Sequence, residues 1–151
     1  MKNLLIEEKE LQFKKFTNDE ALKLGLLIVE IAKTDYPGRG VAIHIEKNRE
    51  PIFTYLMEGM TLDNIDWLYG KKNLVDRYNH SSQYINYWNQ SLDGKLHEIY
   101  SLDSSKYRAF GGSYPLFIEN TGNVGSITVG GLSGDEDHEL CVKAIRKYLG
   151  K

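Results

Sequence analysis

Cysteine is almost absent from this 151-residue chain: Cys141 stands alone, so no intramolecular disulfide can form and no disulfide framework supports the fold. A lone thiol inside a helical pattern is expected to be buried and reduced, as in a cytoplasmic protein. Only three prolines occur, and no linker-like stretch divides the chain. Nowhere do about 18 apolar residues run together, which removes a membrane-spanning helix. The N-terminal "MKNLLIEEKELQF" lacks the apolar core of a signal peptide. Charge of one sign is missing too. Nineteen basic against twenty-one acidic residues leave a formal charge of −2. Without a basic run there is no track for nucleic acid and no patch for a membrane surface. What remains is one domain, residues 1–151, long enough to bury about two-thirds of its unfolded surface.

The patterns that are present alternate in type. "TNDEALKLGLLIVEIAKTD" offers Thr17 or Asn18 as N-cap and a mostly apolar helix carrying Leu24, Ile28 and Ile31. "YPGRG" turns the chain into "VAIHIEK", where Val41, Ile43 and Ile45 alternate with Ala42, His44 and Glu46 as in a half-buried strand. "NRE" joins this to "PIFTYLM" as a hairpin. A long helical stretch is predicted from Thr61 to about Gln90, then a polar segment to Arg108. "SYPLFIE" and "NVGSITVGGL" flank "NTG" as a second hairpin, and a last helix runs from about Gly134 to Leu149. Helix, strand pair, helix, strand pair, helix reads as α+β, one central antiparallel sheet with helices packed on it.

Two stretches carry chemistry. "GGLSGDEDHELC", residues 130 to 141, combines glycines, four acidic side chains, a histidine and the cysteine. Ser133 followed by Glu136 is a capping-box spacing, and Asp135, Glu136 and Asp137 suit the positive first turn of a helix. Consecutive residues there point around the axis, so these acids do not converge on a metal ion, and none is assigned. His138, one position further on, is a candidate iron ligand or hydrogen-bond anchor facing the sheet. Cys141 and His138 stand three residues apart, but a buried thiol is the simpler reading than a nucleophile. Gly111–Gly112 and Gly130–Gly131 suit close backbone packing at strand ends, since no P-loop or dinucleotide pattern surrounds them.

The second stretch is "WLYGKKNLVDRYNHSS", residues 67 to 82. Leu68, Lys71, Val75, Tyr78, Ser82 and Ile85 recur at helical steps, while Asn73, Arg77, His80 and Tyr84 mark the opposite side. Both faces look occupied, which points to a second packing partner such as another subunit. Lys71 among apolar neighbours either snorkels to water or serves as a cation for a carboxylate or propionate at the sheet edge.

These motifs, with "GMTLDN", "YRAFGGSYPLFIENTG" and "VGSITVGGLSGDEDHELCVKAI", resemble the haem-degrading-domain family of GlcG-like and haem-binding HbpS-like proteins, in its small stand-alone branch. The resemblance spans about Phe13 to Tyr148. It implies a profilin-like or roadblock-like three-layer α/β/α domain that assembles into dimers or rings of dimers. It also implies haem, a related tetrapyrrole or another anionic planar molecule as candidate ligand. A eukaryotic member of the branch is associated with chaperone complexes, so an oligomeric adaptor for other proteins is the alternative. No particular reaction follows, and catalytic residues stay unassigned. Trp67, Lys71, Asn73, Arg77, Ser81, Ser82, Gly111, Gly112, Pro115, Glu136, Asp137 and His138 match the family's motifs. Phe110 departs, standing where relatives often carry histidine, and Met60 stands where a small hydroxyl residue is common. Lys71, Gly111, Gly112 and His138 are therefore the ligand-binding candidates. Asn73, Arg77, His80 and Tyr84 are candidates for assembly or surface contacts, and Ser133 and Glu136 for the cap.

Overall fold

The computed structural model describes residues 1–151. Its first regular element is helix α1 (Lys2–Glu10), which no pattern in the sequence predicts. Glu8 of α1 is buried and accepts the backbone N–H of Ser81 at 2.9 Å, so the helix is fastened from a distance. Helix α2 (Asn18–Asp35) follows an N-cap at Thr17, whose hydroxyl accepts the Glu20 N–H at 3.2 Å. Strands β1 (Ala42–Lys47) and β2 (Glu50–Leu56) form a hairpin across Asn48 and Arg49. Both turn residues have positive φ, 53° and 65°, matching a primed two-residue turn. Strands β3 (Ser113–Ile118) and β4 (Gly122–Gly130) form the second hairpin. Helix α6 (Gly134–Leu149) ends the fold. No helix is long and apolar enough to cross a membrane.

The long helix predicted to Gln90 is instead broken. Helix α3 (Leu62–Tyr78) stops at Asn79, which takes a left-handed conformation at φ 58°, and α4 (Ser82–Ser91) restarts behind Ser81. Ser81 accepts the Tyr84 N–H through its side chain at 3.2 Å. An Asn stop followed by a Ser start is locally cheap, and it turns the chain so that Ile85 and Leu74 can meet in a small second core. A short helix α5 (Leu96–Tyr100) contributes Leu96 to that core.

All four strands lie in one antiparallel sheet of order β2-β1-β4-β3. One face is apolar. Val41, Ile43, Ile45, Ile127, Val129 and Leu116 pack there against Leu24 and Ile28 of α2 and Leu140, Cys141 and Ile145 of α6. Each such side chain contributes on the order of 1.5–3 kcal/mol by leaving water.

The opposite face, under α3, is polar yet equally buried. β1 is therefore closed on both sides, where alternation had suggested a half-exposed strand. His44 and Glu46 are buried because partners reach them. Glu46 Oε1 accepts Lys72 Nζ at 2.7 Å, and its Oε2 lies 2.6 Å from His44 Nε2. An ionised carboxylate can only accept, so Nε2 carries a proton, and Nδ1 lies 2.6 Å from the Thr54 hydroxyl. Burial by itself would raise the Glu46 carboxyl; the bonds from His44 and Lys72 override it and hold the group below its usual range.

Candidate functional site

The site grows from Lys71. Its position on α3, one turn beyond Trp67, aims the side chain down at the end of the sheet where β4 leaves and β3 begins. It does not snorkel: its side chain is 4 % exposed. All three ammonium protons find acceptors, Gly111 O at 3.0 Å, Val129 O at 2.8 Å and Asp137 Oδ2 at 2.9 Å. Asp137 Oδ1 in turn accepts the Leu132 N–H at 3.0 Å. Burial pushes the Asp137 carboxyl upward, against the pull of Lys71 and the Leu132 amide. One ion pair thus ties α3, the β3 approach, the end of β4 and the start of α6 together.

Glycine makes this convergence fit. Gly112 sits at φ 129°, and a Cβ there would lie 2.7 Å from Lys71 Nζ and 2.8 Å from Asp137 Cβ. Neither the backbone nor the space admits another residue.

Above the pair opens a cavity of about 310 Å³ lined by Asp63, Asn64, Trp67, Phe110, Gly131 and Leu132, with Lys71 and Asp137 in its floor. Trp67 and Phe110 stand edge to face, with ring centroids 5.4 Å apart. A second cavity of about 580 Å³ extends from the same two rings to Asn86, Asn89, His97, Tyr107 and Arg108. Trp67 and Phe110 line both cavities.

Lys71, Gly111 and Gly112 therefore meet at one place. His138 does not join them. One residue further round α6, it packs on Tyr114 with centroids 6.0 Å apart. Its Nε2 lies 3.2 Å from Glu7 of α1, at ion-pair distance but without the angle of a hydrogen bond. Cys141 is fully buried, and burial pushes its thiol up, so it stays protonated. Ser133 and Glu136 form the reciprocal cap, each backbone N–H bonded to the other's side chain at 3.2 Å. No group of three His, Cys, Asp or Glu side chains converges as a metal site.

Along the other face of α3 runs the chain's own segment at residues 106 and 107. Asn73 Nδ2 donates to Lys106 O at 2.8 Å, and the Arg77 guanidinium lies 5.4 Å from the centre of the Tyr107 ring. With the helix broken at Asn79, His80 and Tyr84 leave that face altogether. His80 Nδ1 reaches Glu8 at 2.8 Å and its ring stacks on Tyr84. Within the chain, Asn73 and Arg77 thus contact residues 106 and 107. Asp137 as the partner of Lys71, and Arg108 against Trp67, were not singled out in the sequence; the paired glycines were the only local sign of close approach.

A family model described as haem degrading protein HbpS-like matches residues 16–146. A UPF0303 protein of Paraburkholderia phytofirmans is 39% identical over 144 residues, covering 95% of this chain and 86% of the relative. Among solved structures, the Ybr137w protein superposes with a TM-score of 0.91 at 28% identity, covering 98% of this chain and 87% of that one. A PduOC:heme complex superposes at 0.71 with 18% identity, covering 86% and 92%, a likeness of fold alone. Sequence and architecture agree, and the chain belongs to the HbpS-like haem degrading protein family.

Proposed function

We propose that this protein binds a small planar anionic molecule in the cavity between α3, α6 and the Phe110–Gly112 segment. The observation that carries the reading is an aromatic-walled concavity whose floor is a buried, fully hydrogen-bonded ion pair. Such a floor is rigid and electrically neutral, so it shapes the cavity without repelling either charge. The first turns of α3 and α6 reach the rim at Asn64 and Gly134, and both present their positive ends. Asp63 is the one uncompensated acid on the lining. At about 310 Å³ the cavity is at the small end of ligand sites, suited to one or two fused rings.

Haem is the ligand the family name suggests, and this cavity does not suit ligated iron. Its lining offers no imidazole, thiolate or thioether, and its only amine, Lys71, is spent on Asp137. Titration with haemin and with metal-free protoporphyrin tests this directly. Equal, weak affinities are expected; a haemin-specific Soret shift saturating at one equivalent would overturn the reading.

Assembly into at least a dimer belongs to the same proposal. β2 pairs only with β1, so its outer edge is open. Leu22 and Leu26 of α2 and Tyr55 of β2 are 49 %, 56 % and 48 % exposed, apolar surface on two elements that pack together and that a second copy could cover. Light scattering at micromolar concentration should give at least twice the chain mass. A clean monomer would transfer that surface to the adaptor reading, in which another protein covers it.

A further inference from the structure

We infer that the anionic end of the ligand is held by Arg108, in the second cavity, which shares Trp67 and Phe110 with the first, and that the ligand class is an aromatic carboxylic acid; this rests on the planar-ligand reading above. The cation expected for this role, Lys71, has no donor left, since its three protons are bound to Gly111, Val129 and Asp137. Arg108 is in the opposite condition. It takes part in none of the chain's ion pairs, while Arg39 and Arg146 each hold a glutamate. No acidic side chain lines the 580 Å³ cavity it faces. The nearby Asp103 carboxylate is turned to the N–H and hydroxyl of Ser105, at 2.9 Å and 2.7 Å.

The guanidinium is also held in place before any ligand arrives. It lies over the Trp67 ring at 4.4 Å, and the stem presses on Gly70, where a Cβ would come within 2.6 Å of its Cδ. The Arg108 backbone N–H donates to Gly70 O at 2.9 Å, and Nε donates to Ser105 O at 3.4 Å. Both terminal nitrogens remain free, the fork that donates two parallel hydrogen bonds to a carboxylate. Asn86 and Asn89 supply amides on the same lining. A single guanidinium, with no second Lys or Arg on the lining, suits a monoanion better than a phosphate dianion. Phe110, 52 % exposed and on the lining of both cavities, offers its free face to a ring whose carboxylate points at Arg108.

The test compares 2-naphthoate with its neutral isostere 2-naphthamide by calorimetric titration of the full chain. Wild-type protein should bind the acid at least about tenfold more tightly than the amide, the effect of one charge-assisted pair. Arg108→Gln should erase that preference while amide binding persists. Arg108→Lys, which keeps charge and stem, should retain only part of it and serves if the glutamine variant melts. Equal binding of acid and amide, or a preference that survives Arg108→Gln, overturns the carboxylate seat but leaves the cavity reading standing. Failure of both compounds to bind overturns the two together.

Discussion

The ammonium of Lys71 and the carboxylate of Asp137 meet at 2.9 Å, sixty-six residues apart in sequence and with both side chains shut off from water. Their contact fixes where α3 and α6 cross the end of the sheet, and therefore where the cavity lies.

Removing either partner leaves an uncompensated buried charge. Lys71→Met and Asp137→Leu should each lower stability by about 3–5 kcal/mol in urea denaturation, and the double replacement of both by much less than the sum. Additive losses would show that the two side chains do not act as a pair.

Gly112→Ala should be among the most damaging small substitutions. The positive φ and the approach of Lys71 and Asp137 act at the same atom. A loss of about 2 kcal/mol or more is expected, read as a fall in the thermal midpoint. Gly38→Ala, with a positive φ but open space around it, should cost less.

The buried His44–Glu46–Lys72 group sets an acid limit. Glu46 titrates below its ordinary range in the folded protein, so the folded state prefers the ionised form. Its stabilisation is fully present above the unfolded glutamate value, about 4.3, and fades as pH falls through the lower folded value. Stability measured between pH 6 and 2 should drop along this limb, and Glu46→Gln should flatten it while lowering the plateau. An unchanged acid limb in that variant would place the effect elsewhere.

Ser133→Ala should remove the α6 cap and cost about 0.5–2 kcal/mol without altering naphthoate affinity. A change in affinity with unchanged stability would mean that the hydroxyl serves a ligand rather than the helix.

Phe110→His places an imidazole on the wall of the 310 Å³ cavity, where the wild type has no iron ligand. Haemin should then give a Soret shift that the wild type lacks. The same shift in both proteins would mean that iron is ligated elsewhere.

The amino-acid sequence alone determined the two hairpins and the starts of α2 and α6. Alternation at Val41, Ile43 and Ile45 marks a strand because side chains point to opposite faces every second residue, and the Thr17–Glu20 and Ser133–Glu136 spacings mark helix starts because one turn brings each pair within reach. Motifs spread along the chain were enough for the family and its α+β sheet. The stop at Asn79 was written in "YNHSS" but was outweighed by a helical pattern that Tyr78, Ser82 and Ile85 happen to continue. Only tertiary structure decided what each charge does. Whether Lys71 is a free cation or a buried strut depends on Asp137 and two carbonyls brought from 40 to 66 residues away, and whether Arg108 is idle or poised depends on Trp67 and Gly70 across a similar gap. Electrostatic and hydrogen-bond energies act over a few ångströms of space, and separation along the chain does not reveal which groups the fold will bring that close.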